Sequence, residues 1–221
     1  MEFESGLSYI NKRASKDDLN STAKSFESFE DTKLVNLVDK DCLDFYKKGE
    51  LNMKNNLFGQ AILNFLKAYE ILKRNNPNAN KMGFFEYIIQ ISINICYCQK
   101  QLLNYDEAAN ILKTCLDNLR KRIDKDLKLK PWYIHICNEY AELLIAKYNF
   151  EEATDIIGEG LKYIDTGKNK TVEEAAIFSN LVTLKAEILF QLGYYGNARK
   201  LFESIKKIIA THFTDSLKSI D

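Results

Sequence analysis

LFGQAILNFLKA, residues 57–68, is the stretch on which the fold turns. Phe58, Ala61, Phe65 and Ala68 stand three and four apart, the spacing of one face of a helix. The same phrase returns three times: aromatic, two residues, Ala, three residues, large apolar, two residues, small or apolar. NYDEAANILKTC carries it on Tyr105, Ala108, Leu112 and Cys115. NFEEATDIIGEG carries it on Phe150, Ala153, Ile157 and Gly160, and YYGNARKLFESI on Tyr195, Ala198, Phe202 and Ile205. The central alanines at 61, 108, 153 and 198 lie 47, 45 and 45 residues apart. A fixed period of this size marks a chain built of stacked supersecondary units.

Upstream of each phrase runs a second helical pattern, over Lys33–Met53, Phe84–Gln101, Trp132–Tyr148 and Thr171–Leu192. Twelve residues before each central Ala stands a small residue: Gly49, Cys96, Ala141 and Ala186. Two helices approach closely only where side chains are short. These four sites are therefore expected to mark the crossing of each pair, nested against the following Ala, with the aromatic filling the space beside it.

Local signals agree with this division. Thr171 and Glu174 have the spacing of a capping box, and Asn104 with Glu107 and Asn149 with Glu152 suit the starts of second helices. Asn55 and Asn56 tolerate the left-handed backbone of a turn. With only 9 Gly and 2 Pro, few tight turns are expected. Pro77 and Pro131 fall in stretches that read as connections.

A helix with a small residue, a short turn and then this phrase resembles the tetratricopeptide repeat, over residues 33–211. The units here are longer than the usual ~34 residues and are more similar to the long-repeat members of the kinesin light chain type. The resemblance implies an all-α fold, a right-handed superhelical array of four antiparallel helix pairs, an α-solenoid. It implies a non-enzymatic scaffold or adaptor that binds a peptide segment of a partner in a concave groove lined by the first helices. The groove positions it assigns are Tyr46, Glu50, Asn94, Tyr97, Asn138, Glu142 and Glu187. Asn94 and Asn138 match asparagines whose amides bond an extended peptide backbone. The glutamates make the groove acidic, and Tyr46 and Tyr97 offer flat apolar area. Family members that clamp acidic chaperone tails need groove bases; here Tyr46 and Glu50 take the places of Lys and Asn, and Glu139 that of Arg. Repulsion from these glutamates disfavours such a carboxylate clamp, so the expected partner is a protein or peptide with a basic or apolar segment. A structural subunit held by its convex face or ends is the alternative. A co-chaperone, or an enzyme with an unrecognised site, stands behind both.

The totals fit a packed chain. Of 221 residues 46% are hydrophobic, and Lys plus Arg balance Asp plus Glu at 31 each. A nucleic-acid binder is basic overall, so none is expected as partner. No apolar run reaches the ~18 residues of a membrane helix, and Met1–Ile10 does not read as a secretory leader. The expected location is cytoplasmic, with reduced thiols.

The search for chemistry returns no catalytic, metal or cofactor site. His135 and Cys137, and likewise Cys96 and Cys98, are two apart on helices and diverge by about 200°. Cys96 and Cys115 take small-residue positions and are read as core. No phosphate loop occurs, and Gly158 and Gly160 are read as easing helix packing. Glu151, Glu152 and residues 173–176 sit at helix starts, where they complement the dipole. The basic run Arg120, Lys121, Arg122, Lys125, Lys128 and Lys130 is read as a solvated helix end.

Residues 1–32 lack the phrase and carry seven acids against four bases. Leu19, Ala23, Phe26 and Phe29 form an amphipathic stripe, read as a mobile or capping segment over the first unit, with docking in the groove as the other reading. Residues 212–221 are expected to be a tail beyond the last helix.

Overall fold

Eight helices account for the regular structure of the described residues, which in this computed structural model are 39–75, 84–164 and 172–218. They are α1 (Lys40–Lys54), α2 (Phe58–Asn75), α3 (Phe84–Gln101), α4 (Tyr105–Arg120), α5 (Lys130–Ala146), α6 (Phe150–Lys162), α7 (Val172–Gln191) and α8 (Tyr195–Lys218). A short 3₁₀ turn, Leu127–Leu129, leads into α5. Each helix packs on the next, and α5 also packs on α7. The fold is all-helical, with contacts running between neighbours in sequence, consistent with an α-solenoid. The stripe Leu19 to Phe29, the Asn76-Pro77-Asn78 loop and Thr171 of the expected capping box lie outside the described residues.

The four phrases open α2, α4, α6 and α8, and their central alanines Ala61, Ala108, Ala153 and Ala198 are all buried. So are the four small residues Gly49, Cys96, Ala141 and Ala186. Gly49 shows why smallness is required. A Cβ placed there would sit 2.6 Å from Cε1 of the buried Phe65 ring. The neighbour that demands the glycine is thus the large apolar residue of the phrase, four past the Ala, and not the Ala itself. Gly160 repeats the device in α6, where a Cβ would lie 3.1 Å from both Cys137 Cβ and Leu181 Cδ1. Gly158 does not: a Cβ there meets nothing within 4 Å, so of the two glycines in this helix one eases packing. The aromatics that open the phrases are not core fillers throughout. Phe58 and Phe150 are half-buried, while Tyr105 and Tyr195 are exposed.

The turns inside the pairs are one structure used four times. Asn56, Leu103, Tyr148 and Gly193 all have positive φ, at 60°, 62°, 59° and 82°, and they repeat at the period of the alanines. Each precedes a backbone bond that closes the helix end: Leu57 N to Asn52 O at 2.8 Å, Asn104 N to Gln99 O at 2.9 Å, Asn149 N to Leu144 O at 2.8 Å and Tyr194 N to Leu189 O at 2.8 Å. This is the Schellman arrangement, which satisfies carbonyls that the helix leaves open.

First and second helices bury differently. The second helices α2, α4 and α6 keep one apolar stripe inside and the opposite face in solvent. The first helices α3 and α5 are buried nearly all round, as a helix enclosed by several neighbours must be. α3 joins two apolar clusters: Ile91, Ile95 and Cys98 pack with Phe65, Ala68 and Leu72, while Ile89 and Cys96 belong to the larger cluster with Leu112, Ile136 and Leu181. All five cysteines are buried and free. Burial pushes the Cys96 and Cys137 thiols up to about 12, which makes them apolar fillers at neutral pH.

Several element ends differ from the sequence expectation. α1 begins at Lys40, where the Asp39 carboxylate caps it, accepting from the Asp41 N–H at 2.9 Å; residues 33–38 of the expected run lie outside the described residues. Pro131 lies in the first turn of α5 and not in a connection; its missing N–H costs nothing there and its fixed φ suits the helix. α8 continues to Lys218, through the expected tail. Asn104 and Asn149 do take N-cap positions, but neither side chain caps the backbone. Asn104 Nδ2 donates to Gln99 Oε1 at 2.9 Å and Asn149 Nδ2 to Glu152 Oε2 at 2.7 Å.

Candidate binding face

Residues four apart on a helix share a face, and the polar residues of the first helices obey this spacing. Tyr46 and Glu50 lie on α1, Gln90 and Asn94 on α3, His135 with Glu139 and Asn138 with Glu142 on α5, and Glu187 on α7. Packing of first helix beside first helix sets them in one band. At the α1–α3 end, Asn94 Nδ2 donates to the Tyr46 hydroxyl at 3.2 Å, and Gln90 Nε2 donates to Asn94 Oδ1 at 3.2 Å. Tyr46 is also hydrogen-bonded to Glu50. Its ring lies 5.1 Å from that of Tyr87 and 5.6 Å from Phe65.

In the centre of the band Lys100 bridges two helices. Its Nζ donates to Glu139 Oε2 at 2.8 Å and stands 3.8 Å from Glu142 Oε2. Glu142 Oε1 accepts from Asn138 Nδ2 at 3.2 Å. Burial disfavours both members of the Lys100–Glu139 pair as ions, but their mutual attraction outweighs it. The ammonium is held above its ordinary range and the Glu139 carboxyl below its own, with His135 adding to the latter. Glu142 takes the opposite course. Burial, then the charge of Glu139, push its carboxyl up to about 7, with Glu187 adding to the rise. Burial lowers His135, leaving it neutral near pH 7.

The seven residues expected to line the groove stand on α1, α3, α5 and α7. Asn94 and Asn138 are only 8% and 7% exposed, and their amides bond inside the protein, Asn94 to Tyr46 of the preceding first helix and Asn138 to Glu142 of its own. Asn138 Oδ1 nevertheless has no partner, one of two such buried side-chain atoms among the described residues, with the Tyr87 hydroxyl. Tyr97 turns toward the preceding pair and meets the edge of Phe58 at 6.1 Å. Gln90, and His135 as a neighbour of Glu139, went unassigned in the sequence; the four-residue spacing from Asn94 and Glu139 was the available signal. The Lys100 bridge had none, since it joins helices 39 residues apart.

The basic run is divided by the fold. Arg120 ends α4 and pairs with Glu159 of α6 at 2.9 Å and with Asp117 at 2.8 Å. Arg122 lies 4.6 Å over the Phe85 ring. Lys121, Lys125 and Lys128 are exposed. Among the described residues no group of three His, Cys, Asp or Glu is arranged to hold a metal, and no helix is long and apolar enough to cross a membrane. A separate open hollow of about 500 Å³ lies against α7 and α8, lined by Phe190, Tyr195, Arg199, Phe202, Glu203 and Lys206 among others. The chain matches no family model and no curated protein.

Proposed function

We propose that this chain is a tetratricopeptide-like array, a right-handed superhelix of four antiparallel helix pairs that binds a peptide segment of a partner protein and acts by binding, not catalysis. Antiparallel pairing is supported by contacts that join opposite ends of α1 and α2. Asn75 Nδ2 donates to Asp39 Oδ2 at 2.8 Å, the Cys42 thiol donates to the Ala68 carbonyl at 3.2 Å, and Gly49 faces Phe65. The observation that carries the binding reading is the polar band across the first helices. It is continuous from Glu50 through Tyr46 and Asn94, resumes at Lys100, Glu139 and Glu142, and reaches Glu187 electrostatically. Excess of Glu over Lys along the band favours a basic segment.

A peptide array probed with the wild type and with a Glu50→Lys/Tyr97→Ala variant tests this reading. Loss of capture by a variant that still melts cooperatively supports the groove, and unchanged capture removes it. This pair is preferred to the asparagines, whose truncation would also cut side-chain hydrogen bonds inside the protein.

The hollow at α7 and α8 favours a second reading, a subunit held at one end within a larger assembly. There Phe190, Tyr195 and Phe202 are exposed together. Light scattering of the isolated chain tests it: self-association relieved by Phe202→Glu supports a covered end, and a clean monomer counts against it.

A further inference from the structure

Tyr195, Arg199, Phe202 and Lys206 stand four, three and four apart on α8, all exposed, and with Phe190 they line the hollow at the end of the array. The Phe190 and Tyr195 rings meet edge to face at 5.2 Å. In α2 the same places hold Phe58, Ile62, Phe65 and Tyr69, buried or half-buried. Their cover is α3, which brings Ile91, Ile95 and Cys98, spaced four and three, into one cluster with Phe65. Tyr97 near the end of α3 meets Phe58 at the start of α2, at 6.1 Å, so the covering helix runs opposite to the covered one. On α8 two of the four places are bases. Arg199 keeps 80% of its side chain in solvent, and Glu203, its partner at 2.9 Å, keeps 58%. A helix that covers this face must supply apolar groups at spacings of four and three, with acids beside them.

The N-terminal stretch has that pattern. Leu19, Ala23 and Phe26 repeat the spacing of Ile91, Ile95 and Cys98, and Phe29 extends it. Residues 17–31 carry the acids Asp17, Asp18, Glu27, Glu30 and Asp31 against a single base, Lys24. α1 does not fit. At the places of Ile91, Ile95 and Cys98 it exposes Asp44, Lys48 and Leu51, so it is a poor cover for α8 of a second copy and a poor seat for the stripe at its own end. Residues 30–38 tie the stripe to Asp39, at the far end of the array. Nine residues reach about 30 Å when fully extended. Three steps of about 8–10 Å between neighbouring first helices consume that length before α8 is met.

We propose that residues 17–31 of a second copy lie along α8, antiparallel to it, with Leu19, Ala23, Phe26 and Phe29 against Phe202, Tyr195 and Phe190, and with Asp17 and Asp18 beside Lys206. The segment takes the place on α8 that α3 takes on α2. The proposal rests on the reading of an end held within an assembly, and names the holder as another copy of this chain.

The test uses full chains. One carries the photoreactive p-benzoylphenylalanine in place of Phe26, and the other is labelled with nitrogen-15. The two are mixed, irradiated and mapped by mass spectrometry, with sedimentation velocity run alongside. Cross-links from position 26 to residues 195–206 of the labelled copy are expected, together with oligomers whose size rises with concentration. Phe202→Glu or Lys206→Glu in the labelled copy should each lower the yield about tenfold. Asp17→Lys/Asp18→Lys in the other chain should restore it for Lys206→Glu alone. Lys206 is exposed, so its variant keeps the fold, which its melting curve checks. Cross-links to α1, to the polar band or to the same chain's own α8, no cross-link at all, or a yield untouched by both variants overturns the proposal. Oligomers that dissociate in Phe202→Glu, without any cross-link from position 26, keep the held end and discard the segment. A clean monomer removes both.

Discussion

Phe65 in the first pair and Phe202 in the last occupy the same place in the phrase, yet Phe65 is fully buried and Phe202 is 44% exposed. Leu112 and Ile157, at the same place in the inner pairs, are fully buried too. Leu51 gives the converse case at the other end. It is 59% exposed, while its counterparts Cys98, Leu143 and Ile188 are buried. The residue types are alike; the neighbours differ. A position that faces the next unit is covered where a unit follows, and one that faces the previous unit is covered where a unit precedes. Stability in such an array is a sum of unit terms and nearest-neighbour terms, and the two ends lack one neighbour term each among the described residues.

Truncation measures that difference most directly. Phe65→Ala should cost about 3–5 kcal/mol, the usual loss for a fully enclosed phenylalanine. Phe202→Ala should cost roughly half of that or less, since part of the ring is already in water. Urea unfolding of the two variants against the wild type gives both numbers. Equal losses would mean that Phe202 is covered in solution, which would favour the reading of a subunit held at its end.

The glycine opposite Phe65 offers a sharper probe of the same contact. Gly49→Ala gains about 1 kcal/mol of helix propensity, but its methyl enters a space already filled by the ring at 2.6 Å. The ring is fully buried and also packs on Tyr46 at 5.6 Å, so it cannot retreat freely. Overpacking of about 1–3 kcal/mol should leave the variant net destabilised. Gly158→Ala is the control within the array. Nothing lies within 4 Å of its new methyl, so it should be stabilised by about 0.5–1 kcal/mol. If both glycines respond with the same sign, the close approach at Gly49 is not what fixes that residue.

The turns extend the comparison to positions where sequence varies but geometry does not. Gly193 adopts positive φ without strain, whereas Leu103 and Tyr148 hold it as ordinary L-residues, at a cost of about 1 kcal/mol each. Leu103→Gly and Tyr148→Gly should therefore raise the melting temperature, each by on the order of 1 kcal/mol in stability. Gly193→Ala should lower it by a similar amount. A fall with Leu103→Gly would show that its exposed side chain contributes more than its backbone costs.

These turns also show what could and could not be read in the residues. The period was legible because burial of the crossing point leaves small residues no alternative; Ala61, Ala108, Ala153 and Ala198 announce it. The left-handed turn was legible at Asn56 and Gly193, where the residue type suits the backbone. At Leu103 and Tyr148 only the register gives it away, since the helix end is closed by backbone bonds that any side chain permits. The band on the first helices was legible as a list of positions and not as a set of bonds. Asn94 looked like a peptide ligand because its place in the unit is the inner one. How deeply it is buried depends on Tyr46 and Gln90, and the Tyr46 bond crosses 48 residues. Exposure of Phe202 was illegible for the same reason: a local phrase carries no information about the unit beside it.

The smallest effect comes from the two carboxylates that face Lys100. The Glu142 carboxyl, pushed up to about 7 by burial and by Glu139, sits above its unfolded value near 4.5. A raised pKa means that the protonated form is favoured in the fold. Its contribution is fully present below about 4.5 and is lost as pH rises through 7. Glu142→Gln, fixed in the neutral state, should thus match the wild type near pH 4 and exceed it at pH 8. Because 43% of the side chain is exposed, screening trims the gain to on the order of 1 kcal/mol or less. Glu139 runs the other way. Held low by Lys100, it stabilises above its unfolded range, and that part is lost in acid. Glu139→Gln should therefore destabilise at pH 8, where Glu142→Gln stabilises. Thermal melts of both variants at pH 4 and pH 8 separate the two carboxylates. Opposite signs at pH 8 place the Lys100 ammonium on Glu139, while equal signs would mean that Lys100 is shared evenly between the two carboxylates.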